Sequence, residues 1–289
     1  MRRKFVTNLL LLISLNLLIK PFWVLGIDRT VQNVVGAESY GLYFALFNFS
    51  IILNILLDIG ITNFNNRNIS QHTFLVKKHV SNIIGLKLIL AVIYALICLI
   101  TGAVIGYNKV QFHLLLFLIL NQFLISFTLY LRSNISALQF FRTDSLLSVL
   151  DRTLMIIICS VLLFTNVTGG IFRIEWFVYA QTAAYLLTML ITLSIVLTKT
   201  GKISIRINRQ FYLVFLKKSY PYALLILLMA FYNRIDSVML ERLLPDPLGK
   251  QQAGIYAQAF RLLDAVSMFG ALMAGLLLPM FSGMIKRKE

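Results

Sequence analysis

A few charged and amide side chains interrupt long apolar runs in this sequence. An ionisable group inside such a run is costly to bury and is read first as a functional group. Lys20 stands directly before Pro21, which removes a helical hydrogen bond and bends a helix, and Asn16 lies one turn earlier on the same face. Together they offer a cation and an amide to a phosphate-bearing group in a cavity; alternatively Lys20, near the outer third of its run, snorkels to the interface. Ser50, Asn54 and Asp58 form an i, i+4, i+8 stripe. Such a stripe either binds hydroxyls, with Asp58 carrying a coupling proton or sodium ion, or supplies hydrogen bonds between helices. Arg234, Asp236, Arg261 and Asp264 cluster towards the outer ends of the last two runs. Arginine suits bidentate phosphate recognition, so Arg234 and Arg261 join Lys20, Asn16 and Asn54 as candidate substrate-binding residues. Asp236 and Asp264 join Asp58 as candidate ion-coupling carboxylates. Arg261 and Asp264, three residues apart, are expected to neutralise each other on one helix face. The same four groups equally suit a structural ion-pair network. Lys87, near the inner end of its run, is expected to snorkel.

Hydrolytic and redox chemistry find no support in the sequence. His72, His79 and His113 match no metal-ligand spacing, and there is no Walker A sequence or credible Ser, His and carboxylate set. Neither an enzyme activity, a metal nor a cofactor is expected. Cys98 and Cys159 sit within apolar runs and are read as buried thiols packing as small hydrophobes.

The elements that must position these groups follow from composition. Hydrophobic residues make up 59% of the 289 residues and charged residues only 13%. An ordinary soluble domain carries about 25% charged residues, so a water-soluble enzyme, a disordered chain and a disulfide-stapled module are excluded. An all-α, polytopic membrane bundle remains. Spans of about 20 apolar residues are expected at Phe5–Ile27, Tyr40–Thr62, Ile83–Tyr107, Phe112–Ile135, Leu146–Thr168, Trp176–Thr198, Leu216–Leu240 and Ile255–Phe281.

The net charge of +16 is mostly a topology signal. One set of loops holds 18 basic residues, Arg152 counted among them. The opposite set holds Arg29, Lys109, Arg173, Arg234, Arg242 and Lys250. Basic residues concentrate on the cytoplasmic side, which puts both termini of an eight-span chain there and discounts a nucleic-acid partner. The basic stretch Lys199–Lys218 is read as a linker, an interfacial amphipathic segment, or both.

Two stretches match at an offset of 213 residues, read as an internal repeat against the alternative of a chance similarity in a complete eight-helix protein: Ile27-Asp28-Arg29 over Leu240-Glu241-Arg242, then Gly36 over Gly249, Gly41 over Gly254, Tyr43 over Tyr256 and Phe47 over Phe260. Both copies have the same expected orientation, which suits a parallel repeat about an axis along the membrane normal. The expected organisation is a six-helix lobe over 1–198, a basic linker over 199–215, and the first two helices of a second lobe over 216–289.

Three stretches carry a resemblance: Lys217-Lys218-Ser219-Tyr220-Pro221, then Asn233-Arg234-Ile235-Asp236-Ser237-Val238-Met239-Leu240, then Gly254-Ile255-Tyr256-Ala257-Gln258-Ala259-Phe260-Arg261-Leu262. They resemble the start of the C-terminal half of bacterial polysaccharide and O-antigen flippases, in the multidrug/oligosaccharidyl-lipid/polysaccharide exporter superfamily. Gly41-Leu42-Tyr43-Phe44-Ala45, Leu57-Asp58-Ile59-Gly60 and Arg67-Asn68-Ile69-Ser70 look like that family's second helix and following loop. The resemblance implies a multi-pass protein of the bacterial inner membrane. It implies flipping of a polyprenyl-pyrophosphate-linked oligosaccharide within a two-lobed cavity, among membrane lipids and other polysaccharide-assembly membrane proteins. Members usually have twelve or more spans, so this chain is expected to be the front portion of such a protein. A cation-coupled small-molecule exporter of the same superfamily and an inactive remnant are the alternatives.

Overall fold

The computed structural model describes residues 2–62, 65, 66, 69, 74, 76–165, 172–200, 209–264, 266 and 267. Among them all regular structure is helical: α1 (Arg2–Phe22), α2 (Arg29–Ile52), α3 (Val76–Ile105), α4 (Lys109–Ala137), α5 (Phe141–Phe164), α6 (Ile174–Thr200), α7 (Arg209–Leu243) and α8 over 248–264. Helices therefore occupy all eight expected segments. The later part of the eighth span, the terminal basic cluster, His72 and residues 201–208 of the linker lie outside the described residues.

Among the described residues, four helical stretches are long and apolar enough to cross a membrane by length and composition: His79–Ile105, Lys109–Ala137, Phe141–Phe164 and Ile174–Thr200. On α3 the large side chains Leu88, Val92, Leu96 and Ile100 are all exposed. An apolar face of that extent, left bare by the rest of the molecule, suits lipid rather than water. The ends of α4 follow local rules. Asn108 accepts from the Gln111 backbone N–H and the Gln111 side chain accepts from the Asn108 backbone N–H, closing a capping box.

The first two spans depart from expectation. The segment read as an outer loop is mostly helix: a π-helical turn, Trp23–Asp28, joins α1 directly to α2 just after Pro21. The reversal falls at one residue, Gly36, with φ 82° and ψ 161°, backbone that only glycine adopts at no steric cost. At its other end α2 stops short of Thr62. It gives way to a 3₁₀ turn, Asn54–Leu57, followed by positive φ at Ile59 and Gly60. Ser50 Oγ donates back to the Phe47 carbonyl one turn before the break, a bond that bends helices.

Packing pairs α4 with α6, α1 with α5 and α2 with α7, and α5 with α6; α3 lies against α4 and the 3₁₀ turn. Cys98 and Cys159 are buried, unbridged thiols within the larger of two hydrophobic clusters.

Where the chain repeats, its copies meet. A Cβ added to Gly41 of α2 would lie 1.9 Å from the Lys250 carbonyl oxygen, and one added to Gly254 of α8 would lie 2.0 Å from the Ala37 carbonyl oxygen. Residues 37 and 250 carry the same offset as 41 and 254, so the contact is reciprocal. This is the pattern of an isologous, two-fold-like interface, here formed within one chain. Only glycine on both sides lets the helices cross this closely.

Candidate functional site

Beside this crossing lies a cavity with about 1640 Å³ of empty volume, lined by residues of α1, α2, α4, α5, α6, α7 and α8 and of the turns that extend α1 and α2. The α1 side contributes Lys20, Trp23, Val24 and Asp28. These recur at roughly helical spacing on one face, carried through the π turn, a feature frequent at functional sites. Aromatic residues come from α2 (Tyr40, Tyr43, Phe44, Phe47) and α6 (Tyr185), amides from Asn54, Gln122 and Gln181, and cations from Lys20, Arg152, Arg234 and Arg261.

Arg261 spans the crossing. Its Nε donates to Asp28 Oδ2 at 3.0 Å and its Nη2 donates to Gln32 Oε1. Gln32 Nε2 in turn donates to the Gly254 carbonyl at 2.7 Å, and Tyr40 OH donates to Asp28 Oδ1 at 2.8 Å. The guanidinium also sits 5.1 Å from the centre of the Tyr40 ring, within cation–π range. Arg234 donates to Asp264 Oδ1 and Asn48 Oδ1, both at 3.4 Å, and lies 4.8 Å over the Phe260 ring. The expected Arg261–Asp264 pair is therefore not formed. Residues three apart point about 60° from each other around a helix, and here they diverge to different neighbours: Arg261 to the α1–α2 side, Asp264 to α7.

Of the expected site residues, Lys20, Asn54, Arg234, Arg261 and Asp264 line the cavity, and Asn16, Asp58 and Asp236 do not. Asn16 Nδ2 donates to Ser148 Oγ at 2.9 Å, joining α1 to α5. Asp236 accepts from Tyr256 OH at 3.0 Å in a separate cleft between α7 and α8. Asn54 Nδ2 donates to Gln122 Oε1 at 2.6 Å, and Gln122 Nε2 donates to Ser50 Oγ at 3.3 Å, so two members of the polar stripe serve the α2–α4 contact.

Asp58 pairs with Lys87, and this corrects the snorkelling expectation. The Lys87 side chain is only 1% exposed; its ammonium donates to Asp58 Oδ1, to the Leu57 carbonyl and to Ser126 Oγ, the last two at 3.0 Å. The broken end of α2 frees the Leu57 carbonyl, and a carboxylate beside it outcompetes the distant interface for the ammonium.

Arg152 was assigned to an inner loop, but α5 carries it into the cavity wall. Its guanidinium lies 5.8 Å from the Trp23 ring and 5.9 Å from the Tyr185 ring, and its acidic neighbour Asp151 stands 3.5 Å away. Asp28, Gln32, Tyr43 and Gln181 were also missed. Gln181 donates to Tyr43 OH at 2.8 Å across the cavity wall. Asp28 and Tyr43 carried a signal, as members of the repeat; Gln32 and Gln181 carried none. Among the lining residues there are four cations and two carboxylates, and each carboxylate is engaged by an arginine. Lys20 and Arg152 have no carboxylate partner within the lining; Asp151, just outside it, pairs with Arg152 at 3.5 Å, so a net surplus of one positive charge remains among these described residues. Among the described residues, no group of His, Cys, Asp and Glu is arranged to hold a metal ion.

Comparisons with known proteins agree with this architecture. A solved structure of a MATE protein in complex with Br-NRF superposes with a TM-score of 0.51 at 19% identity, over 90% of this chain and 60% of that one. At that identity the likeness shows the fold, a polytopic helical bundle. This chain thus spans less than two thirds of the length of the protein it superposes on. No curated protein matches. The model of the polysaccharide biosynthesis protein family matches residues 5–285. The chain belongs to the polysaccharide biosynthesis protein family.

Proposed function

We propose that this chain holds the substrate in a membrane transporter that flips a polyprenyl-diphosphate-linked oligosaccharide across the bacterial inner membrane. The observation that carries the proposal is the charge balance of the cavity: four cations against two carboxylates already engaged by arginines. A diphosphate is the anionic part of such a substrate and matches Lys20 and Arg152, the two lining cations without a carboxylate partner in the lining, Arg152 being partly offset by Asp151 behind it. Amides and aromatic faces at Asn54, Gln122, Gln181, Trp23 and Tyr185 suit sugar hydroxyls and the apolar faces of sugar rings. The physical task is to carry a polar headgroup through about 30 Å of hydrocarbon, and a polar cavity between helices shelters it while the lipid tail stays in the bilayer.

A small-molecule exporter is the second reading, favoured by the cavity's aromatic lining. The same charge surplus disfavours cationic compounds as its cargo. The test is binding of a polyprenyl-diphosphate oligosaccharide by the full chain in detergent, against the same sugar on an uncharged polyprenol. Tighter binding of the diphosphate is expected. The double variant Lys20→Gln, Arg152→Gln should weaken it about 10- to 100-fold, the worth of charge-assisted hydrogen bonds lost at a desolvated site. Equal binding of the uncharged lipid would remove the basis of the proposal.

A further inference from the structure

A second cleft, with about 830 Å³ of empty volume, opens between the first turns of α4 and α6. It is lined by Lys109, His113, Arg173, Glu175, Trp176 and Tyr179, with Val110 at its edge. Two of the six basic residues on the sparsely charged side of the molecule, Lys109 and Arg173, converge here. Basic residues on that side oppose the usual charge bias, so two at one cleft call for a local use. The capping box at Asn108 and Gln111 fixes the turn that carries Lys109. His113 Nε2 and Tyr179 OH share a 2.8 Å hydrogen bond, and the Phe117 and Tyr179 rings pack 4.7 Å apart, which holds the cleft's wall in place. Both α4 and α6 begin at this end, so their N-terminal dipoles add to the positive field. Glu175 is the only carboxylate in the lining.

The surface next to the cleft is apolar. Leu116 and Leu120 on α4 and Leu187 and Leu190 on α6 are exposed one to four turns further along the helices, and Trp176 is exposed at the cleft's rim. Tryptophan and tyrosine at such a boundary mark the headgroup level of a bilayer. A positive cleft at that level, above an apolar face, matches one kind of occupant: a molecule with an anionic head and hydrocarbon tails.

We propose that this cleft binds the phosphate headgroup of an anionic phospholipid, with Lys109 and Arg173 as its charge partners and its acyl chains lying along the exposed faces of α4 and α6. This lipid is bound from the surrounding leaflet, outside the central cavity, and the site does not depend on the transport reading. Native mass spectrometry of the full chain with phosphatidylglycerol, phosphatidylcholine or glycerol 3-phosphate tests it. Phosphatidylglycerol is expected to bind more tightly than the other two. The double variant Lys109→Gln, Arg173→Gln should weaken it roughly 30-fold, at the usual worth of a basic residue near an anionic lipid. Glu175→Gln, which removes the opposing charge, should tighten it several-fold, a gain that misfolding cannot mimic. Lys20→Gln with Arg152→Gln should leave this binding unchanged. Equal binding of phosphatidylcholine, equal binding of glycerol 3-phosphate, or indifference of the affinity to Lys109, Arg173 and Glu175 would overturn the assignment.

Discussion

Replacing Gly41 by alanine tests the crossing on which the cavity is built. The added Cβ would lie 1.9 Å from the Lys250 carbonyl oxygen and 2.6 Å from the Gly254 nitrogen, both backbone atoms that no rotamer change can move. Ordinary van der Waals contact begins near 3.4 Å, so α2 and α8 must part by about 1.5 Å. The Gln32 bond to the Gly254 carbonyl, now 2.7 Å, would then pass beyond hydrogen-bonding range. Overpacking costs about 1–3 kcal/mol and an abandoned buried hydrogen bond about 1–3 kcal/mol more. At about 2–4 °C per kcal/mol for a chain of this order, the melting temperature should fall by about 4–24 °C. Thermal unfolding followed by the fluorescence of Trp23 and Trp176 reads this directly. Gly26→Ala is the control, because its Cβ would meet only the Phe22 ring at 3.7 Å. That variant should melt within about 2 °C of the parent. A Gly41→Ala protein that melts with the parent, or a Gly26→Ala protein that falls equally far, would refute the reasoning.

Asp58→Leu should cost about 3–5 kcal/mol by stranding the buried Lys87 ammonium, while combining it with Lys87→Met should recover most of that loss; melting curves of the parent, the two single variants and the double form a double-mutant cycle. Gly36→Ala meets no atom within 4 Å, so its effect is the backbone strain of φ 82° and ψ 161° alone, about 1–3 kcal/mol in the same assay. Arg261→Lys keeps the charge but loses the fork that reaches Asp28 and Gln32 together; it should lower the melting temperature by several degrees, whereas an unchanged melt would mean the fork adds nothing to the crossing.

The helical bundle was legible because apolar runs of span length have one solution in a bilayer, where every backbone amide must be satisfied within its own helix. Lys20, Arg234 and Arg261 were legible as cavity residues for the same reason: charges in such runs stand out. Their partners were not. Which neighbour Arg261 meets depends on the rotation of α8 against α2, and the close glycine crossing sets that rotation. Sequence spacing pointed to Asp264 and missed Asp28. The end of α2 was hidden in a different way. Its apolar composition continues to Thr62, and the break at 53–57 is held by Lys87 from another helix, a contact no local pattern records. Arg152 was misassigned because a basic residue near a span end counts as topology by default, and only the packing of α5 on α1 and α6 turns it inward.

The repeat explains why a cavity forms where the copies meet. Corresponding glycines, Gly41 and Gly254, bring two backbones into contact, and that contact leaves no room for side chains at the crossing itself. Side chains on either side must point away, and the α1, α2 and α8 faces that diverge from the crossing bound the open space. The copies then differ where function needs them to differ. Position 48 in the first copy is asparagine and its counterpart 261 is arginine; position 51 is isoleucine and its counterpart 264 is aspartate. The symmetric positions hold the backbone, and the substituted ones place an arginine and an aspartate on α8, each with a partner on a different element. Arg261 reaches back to Asp28 of the first copy, and Asp264 takes Arg234 from the second. The carboxylates beside the crossing are thereby engaged, Asp28 in holding it closed and Asp264 in joining α8 to α7. The positive charge left on the cavity wall comes from Lys20 and from Arg152, partly offset by Asp151; neither cation joins α2 to α8, so meeting an anion does not loosen the crossing.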